Sequence, residues 1–214
     1  MHRRTALSVS AALLAAAPLL TACGGEAHPG AAAVVGGERI EVSSLQAQVR
    51  DVRTAQQASP QAAQLIQGTG DLSREKLNVM IFDKVVDKVA ADHGITATRG
   101  EIQKARAEFT EQSGGETQLA AMLLQQQGVA PDQIDVVVRR TVLMNKIAAK
   151  LGVANTPEGQ QKLTEVFAEA SRALDIDVNP RFGAWDDKKI QLGTFTPSWL
   201  RPISQDPAAV EAGA

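Results

Sequence analysis

The chain has 214 residues, 44% hydrophobic and 21% charged, with one cysteine, three histidines, no tyrosine, five phenylalanines and two tryptophans. One cysteine excludes an internal disulfide framework and a multi-cysteine zinc or iron–sulfur site. A formal charge of −2 gives no electrostatic footprint for nucleic acid, and the apolar fraction suffices to build a core in one sizeable domain.

The cysteine stands near the start. Arg3 and Arg4 form a short positive region, followed by an apolar run over residues 6–20 that is too short and alanine-rich for a spanning helix and has the layout of a secretory signal. Leu20, Thr21, Ala22 and Cys23, followed by Gly24 and Gly25, resemble the bacterial lipobox, in which the cysteine becomes the lipid-bearing first residue. The rest of a twin-arginine motif is missing, which points to ordinary secretion. The resemblance implies a signal peptide over residues 1–23, lipidation of Cys23, and a body held on the outer, extracytoplasmic face of the cell membrane. Two acyl chains, at about 0.8 kcal/mol per buried methylene, make a stable anchor. Removal of the leader takes away Arg3 and Arg4 and leaves 20 basic against 24 acidic residues, a net charge of −4, so the body is not drawn to an anionic bilayer. Residues 24–33, rich in Gly and Ala with Pro29, read as a flexible tether.

Residues 33–42 read as a short strand, a Gly36-Gly37 turn and a second extended piece. Ser43 with Gln46 forms the pattern of a capping box, with Val42 and Ala47 as its staple, and Leu45, Val49 and Val52 supply the apolar face of the helix that follows. Residues 54–70 carry no charge and contain Pro60 and five Gln, which predicts a loop or a frayed helical extension. The strongest helix covers residues 73–93, with Leu77, Ile81, Val85 and Val89 in one stripe and Met80, Phe82 and Val86 widening it. Gly94 is its natural stop.

Thr98 and Glu101 form a second capping box, opening a helix whose Ile102, Ala105 and Phe109 share a face and which ends at Ser113-Gly114-Gly115. Leu119, Met122 and Leu123 mark a shorter helix closed by Gly128, and Pro131 fits the first position of the next, which carries Ile134, Val137, Val138, Val142, Ile147 and Leu151 before Gly152. Thr156 and Pro157 open a last helix with Leu163, Val166, Phe167, Ala170 and Leu174. Residues 177–186 are irregular, residues 190–195 read as a strand, and a Pro-bearing tail follows to Ala214.

The ordered set formed by Val34-Val35-Gly36-Gly37-Glu38-Arg39-Ile40, the helix at Ser43, the long helix ending in His93-Gly94-Ile95-Thr96-Ala97-Thr98, and then Glu101-Ile102 resembles the N-terminal domain of SurA and the related PrsA-like and trigger-factor-like chaperones. The resemblance covers residues 33–151. It implies a mainly α fold, a helical peptide-binding domain with a small β element, and shallow apolar grooves for unfolded clients. The organisation expected from it is a signal peptide at 1–23, a tether at 24–33, the helical domain at 34–152, a closing helix and extended segment at 153–200, and a flexible tail at 201–214. The first strand near Val34 is expected to pair with residues 191–195.

SurA and PrsA carry parvulin-type prolyl isomerase domains that use paired histidines with a Cys or Asp and several aromatics. Here His2 lies in the leader, His28 in the tether and His93 at a helix end, and the residues after Leu151 are too few for such a domain. Residues 178–186 resemble a Val-Asn-Pro-Arg-Tyr-Gly-x-Trp stretch near the end of longer actinobacterial relatives, with Phe182 in place of Tyr, which implies a reduced member that kept the closing segment.

No catalytic constellation emerges. His93 beside Gly94 suits the negative end of a helix dipole, Glu108, Glu111, Asp186 and Asp187 read as solvated faces or caps, and Gly114-Gly115 lacks the Lys-Ser/Thr of a phosphate loop. Neither a cofactor nor a metal is expected. Binding is the favoured function: Leu65, Ile66, Met80, Met122 and Met144 are candidate contacts for unfolded or newly exported polypeptides, since thioether side chains adapt to many sequences. These methionines also sit at core-like helical spacing. Trp185 and Trp199 are either partner anchors or seals of a turn. The expectation is thus a non-catalytic, lipid-anchored chaperone-like protein, with an envelope adaptor that docks one folded partner as the alternative and a prolyl isomerase as a weaker one.

Overall fold

The computed structural model describes residues 29–153 and 156–194. The expected signal peptide over residues 1–23 with Cys23, and Phe195 and Trp199, lie outside the described residues. Two antiparallel strands open the body: β1 (Ala31–Val35) and β2 (Glu38–Glu41), joined at Gly36-Gly37, with Val35 opposite Glu38, Val34 opposite Arg39 and Ala33 opposite Ile40. Both turn glycines have positive φ, the backbone of a primed two-residue hairpin turn. Gly36 is also pinned from outside: its N–H donates to the Leu174 carbonyl at 2.6 Å, and a Cβ there would lie 2.8 Å from the Leu174 side chain.

The other edge of β1 pairs with β3 (Asp177–Val178), Ala33 opposite Val178 and Val34 opposite Asp177, so the sheet order is β2-β1-β3. This corrects the expected pairing of Val34 with residues 191–195. β5 (Gln191–Gly193) instead forms a separate hairpin with β4 (Ala184–Asp186), Trp185 opposite Leu192. Asn179 decides the outcome: its backbone N–H donates to Ala32 O and its side-chain amide to Ala31 O, holding the chain on β1 before it can reach the second hairpin. At Gly183, with φ of +130°, a side chain would collide with the Gly193 carbonyl oxygen, so this turn accepts only glycine. The outer edge of β5 is closed by the long helix, where Asn78 Oδ1 accepts from the Leu192 N–H and Arg74 donates to the Leu192 carbonyl.

The tether expectation is corrected at its end. Ala31, Ala32 and Ala33 are at most 1% exposed and form the central strand. Their small side chains let the sheet approach the helices closely, a use of alanine that composition cannot separate from a linker.

Seven α-helices follow among the described residues: α1 (Val42–Gln57), α2 (Ala62–Gln67), α3 (Leu72–Asp92), α4 (Arg99–Gln112), α5 (Glu116–Gln127), α6 (Ile134–Lys150) and α7 (Pro157–Ala173). α3 is the central element. Its Leu77 and Ile81 pack with Leu45, Ile40, Ala32 and Val178, while Val85, Val86 and Val89 pack with Leu143, Ile147, Phe167 and Ala170. Each of these larger apolar side chains contributes roughly 1.5–3 kcal/mol when fully buried. α7 and the two C-terminal hairpin strands belong to these same clusters, so the closing helix and extended segment share the core of the main body. A further cluster joins α4, α5 and α6 through Ile102, Phe109, Leu119, Leu123 and Val138. The fourth joins α1, α2, α3 and α5 through Val52, Leu65, Leu72 and Leu124.

Helix ends follow local chemistry. After α3, Gly94 N–H donates to Ala91 O and Ile95 N–H to Ala90 O, the paired bonds of a Schellman stop. Thr98 and Glu101 form the expected reciprocal capping box, and the Thr156 hydroxyl accepts from the Gly159 N–H at the start of α7. The Ser43 cap does not form. Helix α1 begins at Val42, directly after β2, and Glu41 caps it without a side-chain bond, because Val42 N–H donates to Gly30 O and holds the chain in the hairpin up to that residue. Residues 54–70 are more ordered than expected: α1 continues to Gln57 and α2 forms within the segment. Pro131 opens a single 3₁₀ turn (Pro131–Gln133) before α6. Among the described residues no helix is long and apolar enough to cross a membrane.

A candidate polypeptide-binding surface

One face of α1 carries Gln48, Asp51 and Ala55, continued by the C-cap residue Ala58, at three- and four-residue spacing, so they form a single stripe. That stripe borders two clefts, one on each side of the connector between α5 and α6.

The first cleft, of about 420 Å³, lies between the end of α1, the arm containing α2, and α5. Its lining is largely small and apolar: Ala55, Ala58, Pro60, Leu65, Ala120, Ala121 and Leu124. The arm is held by a latch. Arg53 donates to the Thr69 hydroxyl and to the Thr69 carbonyl, both at 2.6 Å, and to Gln56 Oε1 at 2.9 Å. The fully buried Gln56 donates to the same hydroxyl at 3.2 Å, and that hydroxyl donates to Leu65 O at 2.9 Å. Across the mouth, Gln125 on α5 donates to Gln61 Oε1 at 3.2 Å. The absence of charge over residues 54–70 thus serves an arm that folds over an apolar cleft and is tied down by neutral amides and one arginine.

The second cleft, of about 460 Å³, has α3 as its floor with Lys76, Val79 and Asp83. Gln48 and Asp51 of α1 form one wall, and Val136, Val137 and Arg140 of α6 the other. Lys76 is 5% exposed and donates to Gln133 Oε1 at 2.9 Å; Gln133 in turn donates to Gln48 O at 3.1 Å, which fixes its amide. Burial, with a smaller push from Arg140, lowers the Lys76 ammonium to about 8. Arg140 pairs with Asp83 at 2.9 Å, and burial pushes the Asp83 carboxyl up against that pull. Val136 is 52% exposed and lies on the wall of this cleft.

The residues expected to contact clients separate in the structure. Leu65 lines the first cleft at its base, and its neighbour Ile66 is 37% exposed on α2. Met80, Met122 and Met144 are half-buried and pack on three different core clusters, so they form no common surface. Their helical spacing reflects inward packing. The residues that line the second cleft were missed by sequence reasoning, because Lys76 and Arg140 lie 64 positions apart on two helices and no motif links them. A lysine between Leu72 and Leu77, inside the apolar stretch of α3, was the available signal.

Among the described residues no group of three or more histidine, cysteine or carboxylate side chains is placed to hold a metal ion. Trp185 seals a turn: its indole packs against the two central clusters and its Nε1 donates to Ser171.

Neither a curated protein nor a solved structure matches the chain. A family described as SurA-like N-terminal domain matches residues 3–148, a span that ends within the last turn of α6. With the hairpin, the long central helix and the capped α4 inside that span, the chain belongs to the SurA-like N-terminal domain family.

Proposed function

We propose that the protein is a non-catalytic, lipid-anchored chaperone-like protein, held outside the cytoplasm through Cys23, that binds unfolded or newly exported polypeptides. The observation that carries this reading is the apolar cleft under the α2 arm, lined by Ala55, Ala58, Leu65, Ala121 and Leu124. It offers small, shallow apolar contacts without a catalytic group, which suits side chains of varied shape better than one defined ligand. Family membership and the lipobox-like stretch at residues 20–23 support the same reading.

The test uses the full-length chain and a chemically unfolded client whose aggregation is followed by light scattering. The wild type is expected to suppress aggregation at near-stoichiometric amounts. Ala121→Arg, at an exposed position of the cleft lining, is expected to lose most of that suppression with an unchanged melting temperature. Equal suppression by both would remove the cleft from the mechanism, and none by either would remove the chaperone reading. Incorporation of a labelled fatty acid in cells, abolished by Cys23→Ala, tests the anchor.

A further inference from the structure

The cleft under the α2 arm has eleven lining residues and none of them is charged. Arg53, two positions before Ala55 of the lining, is held by Thr69 and Gln56. A charged side chain entering this cleft would lose water and meet no counter-charge, so the lining admits neutral segments. Three of the eleven residues are polar: Ser59, Gln61 and Gln125. The Ser59 hydroxyl already accepts from the Gln61 backbone N–H at 3.2 Å, which leaves the two glutamines. The remaining side chains are alanine, proline and leucine, which offer the peptide groups of a client no partner. Gln61 stands on the arm at the start of α2, Gln125 on α5, and both are exposed. Their bond across the mouth uses one N–H of Gln125 Nε2 and the Gln61 Oε1; among the described residues Gln61 Nε2 and Gln125 Oε1 have no partner. A donor and an acceptor are thus free on opposite rims of an apolar cleft, the complement of the C=O and N–H that one extended peptide strand presents. The bond between the rims is exposed and neutral, so it parts at little cost, and a mid-chain segment, which has no end to thread beneath it, can enter from the side.

We propose that Gln61 and Gln125 form a clasp that reads the main chain of the client: the bridge opens, an uncharged extended segment lies in the cleft, and the two amides pair with its backbone N–H and C=O. Resting on the client-binding role proposed for this cleft, the clasp defines the substrate class as mid-chain segments that are extended and free of charge over the residues the cleft covers. A helical segment does not engage it, because its own N–H and C=O groups are already paired. Recognition through peptide groups sets no requirement on side-chain identity beyond neutrality, which suits a binder of many sequences.

The experiment measures fluorescence anisotropy of a labelled, end-capped peptide, Gly-Ser-Ala-Val-Ala-Leu-Ala-Ser-Gly, against the full-length chain, beside an analogue whose three central amides are esters. The esters remove N–H donors and weaken the carbonyl acceptors while keeping the side chains, and the parent is expected to bind about three- to tenfold tighter than the analogue. Gln61→Met combined with Gln125→Met, which keeps side-chain length at two exposed positions, is expected to weaken the parent to the level of the analogue, with the analogue and the melting temperature unchanged. Lys or Glu in place of the central Ala of the peptide is expected to weaken binding alike, by about tenfold or more. Equal affinity of the wild type for parent and analogue, both lost in Ala121→Arg, overturns the clasp and leaves the cleft as the client site, whereas no binding of either peptide overturns both readings. Tighter binding of both peptides to the double variant also overturns the clasp, since the glutamines would then be a bar across the mouth, and tolerance of either charge overturns the neutral substrate class.

Discussion

The indole of Trp185 donates to the Ser171 hydroxyl at 2.7 Å, and that hydroxyl donates onward to the Asp187 carboxylate. Ser171 is fully buried on α7, so this short chain of polar groups ties the β4–β5 hairpin to a helix that itself packs on α3. Both neighbours depend on one hydroxyl. Ser171→Ala is expected to cost about 1–3 kcal/mol, since it leaves the indole N–H without an acceptor and Asp187 without its donor. Trp185→Phe removes the same hydrogen bond together with apolar contact. Urea denaturation of the two single variants and the double should return a coupling energy of about 0.5 kcal/mol or more. Strict additivity would mean the hairpin is held by packing alone.

Helix boundaries were legible where the deciding chemistry is local. The Gly94 stop, the Thr98–Glu101 box and the Thr156 cap each involve residues within a few positions of one another, and each forms as the spacing predicts. The Ser43 cap failed for a non-local reason, the Val42 bond to Gly30 that keeps residue 41 in the hairpin. The partner of β1 was illegible for the same kind of reason. Residues 177–186 read as irregular and 190–195 as a strand, and the Asn179 bonds to Ala31 and Ala32 that favour 177–178 exist only in three dimensions. Likewise Ala31 and Ala32 read as the end of a tether until a sheet with two neighbours closes over them. The candidate site was less legible than the fold. Leu65 lines the apolar cleft, the methionines are not brought together, and the surroundings of Lys76 depend on Gln133 and Arg140, which arrive from the turn before α6 and from α6.

The Thr98–Glu101 cap extends beyond its own helix. Glu101 accepts from the Thr98 backbone and hydroxyl and from Lys146 on α6 at 2.7 Å, and Lys146 also donates to Thr96 O. Chiefly through the Lys146 bond, then through Thr98, its carboxyl is lowered to about 2. A depressed carboxylate contributes stability that is complete above its unfolded value near 4.5 and is lost as pH falls toward 2. Glu101→Gln should therefore flatten the acid limb of the stability curve between about pH 5 and pH 2 relative to wild type. Thr98→Ala should cost about 0.5–2 kcal/mol at pH 7. An unchanged acid limb in Glu101→Gln, followed by thermal melts across that range, would contradict the linkage.

Lys76 has the opposite sign. Its ammonium is lowered from the usual value of 10.5 to about 8, so between those values the unfolded chain holds a proton that the native chain has released. Stability then rises with pH over that window, by an amount on the order of 3 kcal/mol if no other group titrates differently. Lys76→Met should lack this rise, while losing the bond to Gln133 that reaches α1. The difference in unfolding free energy between the two proteins, measured at pH 7 and pH 10, isolates the effect from tyrosine-free background titrations of the other lysines. A constant difference would show that the ammonium is better hydrated than its 5% exposure indicates.

The arm over residues 58–70 rests on the Thr69 hydroxyl, which accepts from Arg53 and Gln56 and donates to Leu65 O. Thr69→Val keeps the shape and removes all three hydrogen bonds. The buried Gln56 Nε2 then keeps only its long contact of 3.4 Å to Leu65 O, a deficit of about 1–3 kcal/mol, while its Oε1 still accepts from Arg53. This loss falls on the arm, because the clusters around Leu77, Ile81, Val85 and Val89 of α3 make no use of the hydroxyl. Amide exchange should therefore accelerate by about tenfold or more at Leu65 and Gly68, with Leu77, Ile81 and Val85 unchanged. Since Leu65 is part of the cleft lining, the same variant should also weaken binding of unfolded client. Exchange that accelerates equally in α3 would mean that the arm and the core open as one unit, and the latch would then govern global stability instead of access to the cleft.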